Sequence, residues 1–84
     1  MKTREEIFDR IRETLVSEFE IDAAKVVPEA RFFEDLDLDS IDAVDLVVRL
    51  KNETGLVVKA DDFKAIRTLG DLVAVLERLI AEQQ

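Results

Sequence analysis

The chain reads as an all-α protein, a small four-helix bundle of three long helices plus one short helix, with a long loop between the first and second. Three observations carry that reading. Gly occurs twice and Pro once in 84 residues, so the backbone has few points of punctuation. Strand-type alternation is scarce. Three stretches repeat apolar residues at three- and four-residue spacing, which is the period of one helix face. The 48% hydrophobic content is that of a globular chain. The length suits one domain, residues 1–84, near the small end of what folds without staples.

The elements follow in order. Thr3 followed by Glu6 is a capping box, in which side chains satisfy backbone donors that the helix leaves open. From there Ile7, Phe8, Ile11, Leu15 and Phe19 share one face, and the spacing predicts a helix to about Glu18. Residues 20–39 hold no sustained period, and Pro28 argues against a helix through that point. Val26, Phe32, Phe33 and Leu36 are apolar islands that can pin this loop onto a core. A loop this long is often functional. The second helix begins at Asp39 or Ser40 and ends near Gly55, a residue suited to a left-handed cap. Residues 56–59 form a short extended link. "ADDFKAIR" then makes one or two helical turns with Phe63 and Ile66 facing inward. Thr68 and Asp71 offer another capping box, and Leu69, Leu72, Val73, Leu76, Leu79 and Ile80 carry a last amphipathic helix to the C-terminus.

Composition narrows the function. The chain has no Cys, hence no disulfide framework and no thiolate metal site. It has no His, which removes the usual general base and the commonest metal ligand. Both absences argue against a self-contained enzyme. Twenty acids stand against twelve bases, a formal net charge of −8, which repels nucleic acid and anionic lipid and attracts basic protein patches. No apolar run reaches membrane-spanning length, and "MKTREEIFDR" lacks a secretory apolar core, so a cytoplasmic, monomeric protein that is not membrane-embedded is expected.

The stretch "EDLDLDSIDAVDLVVRL", residues 34–50, concentrates the chemistry. At about 100° per residue, Ala43, Leu46, Val47 and Leu50 form one apolar stripe on the second helix. Ile41, Val44 and Val48 form another on nearly the opposite side, with Asp42, Asp45 and Arg49 between. One stripe suffices to dock a helix in a small bundle. Either the loop 20–39 covers the second stripe, or it stays partly exposed and meets partner proteins inside a rim of carboxylates. The acids alone are also compatible with a merely solvated face.

Asp35, Asp37 and Asp39 alternate as a calcium loop begins, but the sixth position is Ser40 instead of Gly, and the twelfth is Leu46 instead of Glu. A specific calcium site is not expected. Ser40 is itself a plausible helix cap. If Asp39 is the cap, Ser40 occupies the first helical position with its hydroxyl outward, where a phosphate would meet open N–H groups and the positive end of the helix dipole. With no His or Cys in the chain, a reactive Ser40 needs a catalyst from another protein.

"EDLDLDSIDAVDLV" resembles the acyl carrier protein signature, an acidic turn leading into Asp-Ser-Leu and an acidic amphipathic helix. The resemblance spans nearly the whole chain without a large insertion or deletion. It implies that Ser40 carries a covalent 4′-phosphopantetheine arm, transferred from coenzyme A by a separate magnesium-dependent phosphopantetheinyl transferase. It implies a thioester carrier that does no chemistry itself, in fatty acid or related polyketide-like or aryl-polyene-like biosynthesis. Implied partners are the transferase, an acyl-ACP synthetase, a ketosynthase and other acyl-processing enzymes with basic docking patches. The residues matching the family's docking surface are Asp39, Ile41, Asp42, Val44, Asp45 and Val48, with Asp35 and Asp37 adjoining. The chain departs from the pattern at Asp37, where the family usually has Gly, at Ile41 in place of Leu, and at Arg49 and Lys51. The rival from another class is an acidic helical adaptor that is never modified.

Overall fold

The computed structural model describes residues 3–83. Four α-helices follow one another: α1 (Arg4–Glu18), α2 (Ser40–Thr54), α3 (Ala60–Lys64) and α4 (Leu69–Glu82). Among the described residues there is no strand, only an isolated antiparallel bridge between Arg31 and Thr68. The all-α expectation holds. The expected run of the last helix to the final residue reaches Gln84, which lies outside the described residues; α4 ends at Glu82 with Gln83 as its cap.

Local chemistry sets the boundaries. The Thr3 hydroxyl accepts the Glu6 N–H and starts α1. Gly55 ends α2 at φ +78°, a left-handed conformation that costs a residue without a side chain nothing. At α1's end Glu20 takes the left-handed position at φ +55°, and the Ile21 N–H turns back to the Leu15 carbonyl. The α3 helix has no side-chain cap and is tied to α4 by Arg78, whose Nη2 donates to Asp62 at 2.6 Å. That hydrogen bond holds the Asp62 carboxyl below the ordinary carboxylate range.

One core results. α1 packs against both α4 and α2, and Ile7, Ile11, Leu15, Leu46, Leu50, Leu69, Leu72 and Leu76 are sealed from solvent. Each contributes about 1.5–3 kcal/mol by leaving water. The long loop belongs to the core as well, through Val26, Ala30, Phe32, Leu36 and Leu38. It carries a 3₁₀ turn at Ala23–Lys25, capped by Asp22, more structure than its sequence announces.

Two apolar assignments change. Phe33 is half exposed, at 50%, because the chain turns after Phe32 and only one of two adjacent aromatics can face inward. Val47 is only half-buried. It stands at the edge of α2's inward stripe, where Ala43, Leu46 and Leu50 hold the centre.

Candidate functional site

The start of α2 is built by a reciprocal cap. Asp39 takes extended backbone angles and its Oδ1 accepts the Asp42 N–H at 2.8 Å. Asp42 Oδ2 accepts the Asp39 N–H at 3.4 Å in return. Asp39 is therefore the cap and Ser40 the first helical residue. Among the described residues its hydroxyl makes no hydrogen bond, and the backbone N–H groups of Ser40 and Ile41 find no acceptor. An exposed hydroxyl thus stands beside two open donors at the positive end of a helix dipole. These residues fit a phosphodiester on Ser40, since its oxygens are the acceptors those donors lack.

Asp37, two residues before Asp39, has φ +55°. This is the position where the acyl carrier pattern has Gly, and the backbone explains the preference. A left-handed residue is needed to turn the chain into the cap, and Asp is among the side chains that tolerate it. Asp35 is engaged differently. Its carboxylate accepts from the Arg31 Nε at 3.1 Å and from the Arg31 N–H at 2.8 Å, while Arg31 Nη1 also pairs with Glu34. The Arg31 side-chain hydrogen bond, then its N–H, holds the Asp35 carboxyl below the ordinary range. Asp35 is thus a clip within the loop, more than a free rim charge.

Beyond Ser40 the outer stripe of α2 is open to solvent: Ile41 is 78% exposed, Val44 57% and Val48 46%. The loop does not cover it. Asp42 and Asp45 flank the stripe, and both also border an open cleft floored by Phe19, Ile21 and Leu38. The residues expected to form a docking face run from the turn before α2 along its outer side to Val48, with Asp35 drawn aside. Arg49 does not stand free on α2. It reaches Glu18 at the end of α1 and Asp45 one turn back. The i, i+4 spacing from Asp45 was a signal for half of this contact. No local pattern points to Glu18.

No cluster of potential metal ligands occurs among the described residues, and no helix is long and apolar enough to cross a membrane. The exposed serine, the open helix start and the acid-rimmed stripe stand together on one side of the molecule. Comparison with known proteins gives the chain its family. The family described as "Phosphopantetheine attachment site" matches residues 9–76, well over half of the chain. Acyl carrier protein 2 of Ralstonia nicotianae is 49% identical over 79 residues, covering 94% of this chain and 98% of its own. An acyl carrier protein of Thermotoga maritima is 37% identical over 78 residues, 93% of this chain and 96% of its own. A crystal structure of an acyl carrier protein from Thermotoga maritima superposes with a TM-score of 0.84 at 26% identity, covering 96% of this chain and 94% of that one. The chain belongs to the phosphopantetheine attachment-site family, among the acyl carrier proteins. Its prosthetic group is covalently attached 4′-phosphopantetheine, and it is a carrier for acyl-processing enzymes, not an enzyme.

Proposed function

We propose that Ser40 is the attachment residue and that the protein is a free-standing carrier, one unit over residues 1–84. The carrying observation is the unengaged Ser40 hydroxyl beside the open N–H groups of Ser40 and Ile41, at a helix start whose other donors are already satisfied. The group, once attached, supplies a terminal thiol that holds acyl chains as thioesters on a flexible arm. The chain's own contribution is positional. Asp39 and Asp42 fix the helix start by capping each other, which leaves Ser40 outward, and the two open donors favour phosphate oxygens there. The chain has no His or Cys, so the base that removes the Ser40 proton comes from the transferase.

The docking face comprises Asp39, Ile41, Asp42, Val44, Asp45 and Val48, with Asp35 and Asp37 adjoining. Its exposed apolar centre and charged rim suit transient contact with basic patches on a phosphopantetheinyl transferase, an acyl-ACP synthetase or a ketosynthase. The short length of the relatives supports a free-standing unit. The net charge of −8 opposes self-association and supports a monomer, placed in the cytoplasm. The pathway is fatty acid synthesis or a related polyketide-like or aryl-polyene-like route.

The test is intact mass after incubation with coenzyme A, magnesium and a broad-specificity phosphopantetheinyl transferase. One phosphopantetheine per chain is expected, and none on Ser40→Ala, which should keep its helical circular dichroism. Transfer to Ser40→Ala, onto Ser17 for instance, removes the assignment. No transfer to the natural chain favours the unmodified acidic adaptor.

A further inference from the structure

Arg49 is held at three points. Its Nη1 lies 3.3 Å from Glu18 Oε2, its Nε 3.4 Å from Asp45 Oδ1, and its guanidinium carbon 5.7 Å from the Phe19 ring centroid. The Nε is itself buried and has no aligned hydrogen-bond acceptor, although Asp45 is within ion-pair range. Charge and the aromatic face hold the group, and no directed hydrogen bond to Asp45 does. Glu18 and Phe19 belong to the end of α1, so Arg49 retains an anchor if its contact with Asp45 is broken.

We infer that Arg49 is an internal counter-ion for Asp45, a specificity-determining residue that stands where a partner's cation would otherwise bind. The inference rests on the reading of α2's outer stripe as the docking face. A basic partner approaching Asp45 meets a carboxylate whose charge is already offset, and must displace Arg49 toward Glu18 to pair with it. Steering therefore comes mainly from the charges before Asp45, at Asp37, Asp39 and Asp42, which form no ion pair among the described residues although Lys25 borders the same cleft. Lys51, by contrast, is exposed and two residues further along, without an ion pair among the described residues. The chain thus discriminates against partners that rely on the middle of α2 and retains those that read its first turn.

The experiment measures kcat/KM for modification by the broad-specificity transferase, with coenzyme A and magnesium, at about 20 mM and about 500 mM salt. Arg49→Gln should raise kcat/KM by about threefold at low salt, and the gain should vanish at high salt. Arg49→Leu, which keeps apolar cover on Phe19, should show the same gain. Arg10→Gln removes one positive charge from a pair with Glu53 near the other end of α2, and should gain much less. Asp45→Asn should cost little in the natural chain and about threefold in the Arg49→Gln background. An Arg49→Gln gain no larger than that of Arg10→Gln, or an equal Asp45→Asn cost in both backgrounds, overturns the inference. Val44→Ser separates this from the underlying reading. If Val44→Ser does not slow modification, the docking face itself is wrong; if it does and Arg49→Gln is inert, only the counter-ion role fails.

Discussion

The starts of α2 and α4 use the same local device and end in opposite states. Each is a reciprocal cap with Asp at the third helical position, Asp39 with Asp42 and Thr68 with Asp71. At α4 the remaining donors are consumed by the long loop. The Leu69 N–H donates to the Ala30 carbonyl at 3.0 Å and the Gly70 N–H to the Pro28 carbonyl at 2.8 Å. A Cβ at Gly70 would come within 3.2 Å of that carbonyl oxygen, so a small residue admits the close approach. At α2 the corresponding N–H groups, those of Ser40 and Ile41, stay open. The same capping box thus has its neighbouring donors spent or left open according to the tertiary packing around it.

The largest effect that sharpens the contrast between sealed and open lies within α2. Leu46→Ser removes a fully buried side chain and strands a hydroxyl in the core. It should cost several kcal/mol, on the order of 3 or more. Val44→Ser on the open stripe should cost about 0.5 kcal/mol or less. Urea unfolding of both variants is the measurement. Equal losses would mean that the stripe is needed for folding and is not free for partners.

The two caps come next. Thr68→Ala should cost about 1–2 kcal/mol, because it loosens both a cap and the loop seated on it. Asp39→Ala removes a cap alone and should cost about 0.5–1 kcal/mol. If the two variants lose the same stability, the loop contributes nothing at α4 and the comparison breaks.

A comparable but smaller difference is expected at Asp37. Asp37→Ala should be less stable than Asp37→Gly by about 1 kcal/mol, since only Gly meets φ +55° without strain. Equal midpoints at equal m-values would show that the turn relaxes when the side chain changes.

The smallest effect is in acid. The N–H groups of Arg67 and then Thr68 hold the Asp71 carboxyl below the ordinary range. A carboxyl depressed in the folded state stabilises above its unfolded pKa. As pH falls below about 4, the unfolded chain takes up the proton first, and that stability is lost down through the folded pKa. Asp71→Asn should flatten the acid side of the stability profile. A same-sized acid loss in Asp71→Asn would assign the effect to other carboxylates, with Asp62 and Asp35 shifted the same way.

Much of the fold and most of the candidate site's geometry were legible in the residues alone. Helix starts and stops depend on contacts three or four residues apart, so Thr3, Asp39, Gly55 and Thr68 mark them directly. The same short range places Ser40 at the first helical position and puts Ile41, Val44 and Val48 on one side of α2. Tertiary structure decided which apolar residues the core had room for: Leu38 and Ala30 were taken in, while Phe33 and Val47 were left at the edge. It also decided that Arg31 would draw Asp35 aside and that Arg49 would find Glu18. Above all, it brought the Pro28 and Ala30 carbonyls to α4 and left none for α2. A backbone acceptor is the same group at every residue, so no side-chain pattern announces which donor it will meet. Only the path of the loop over the core settles that.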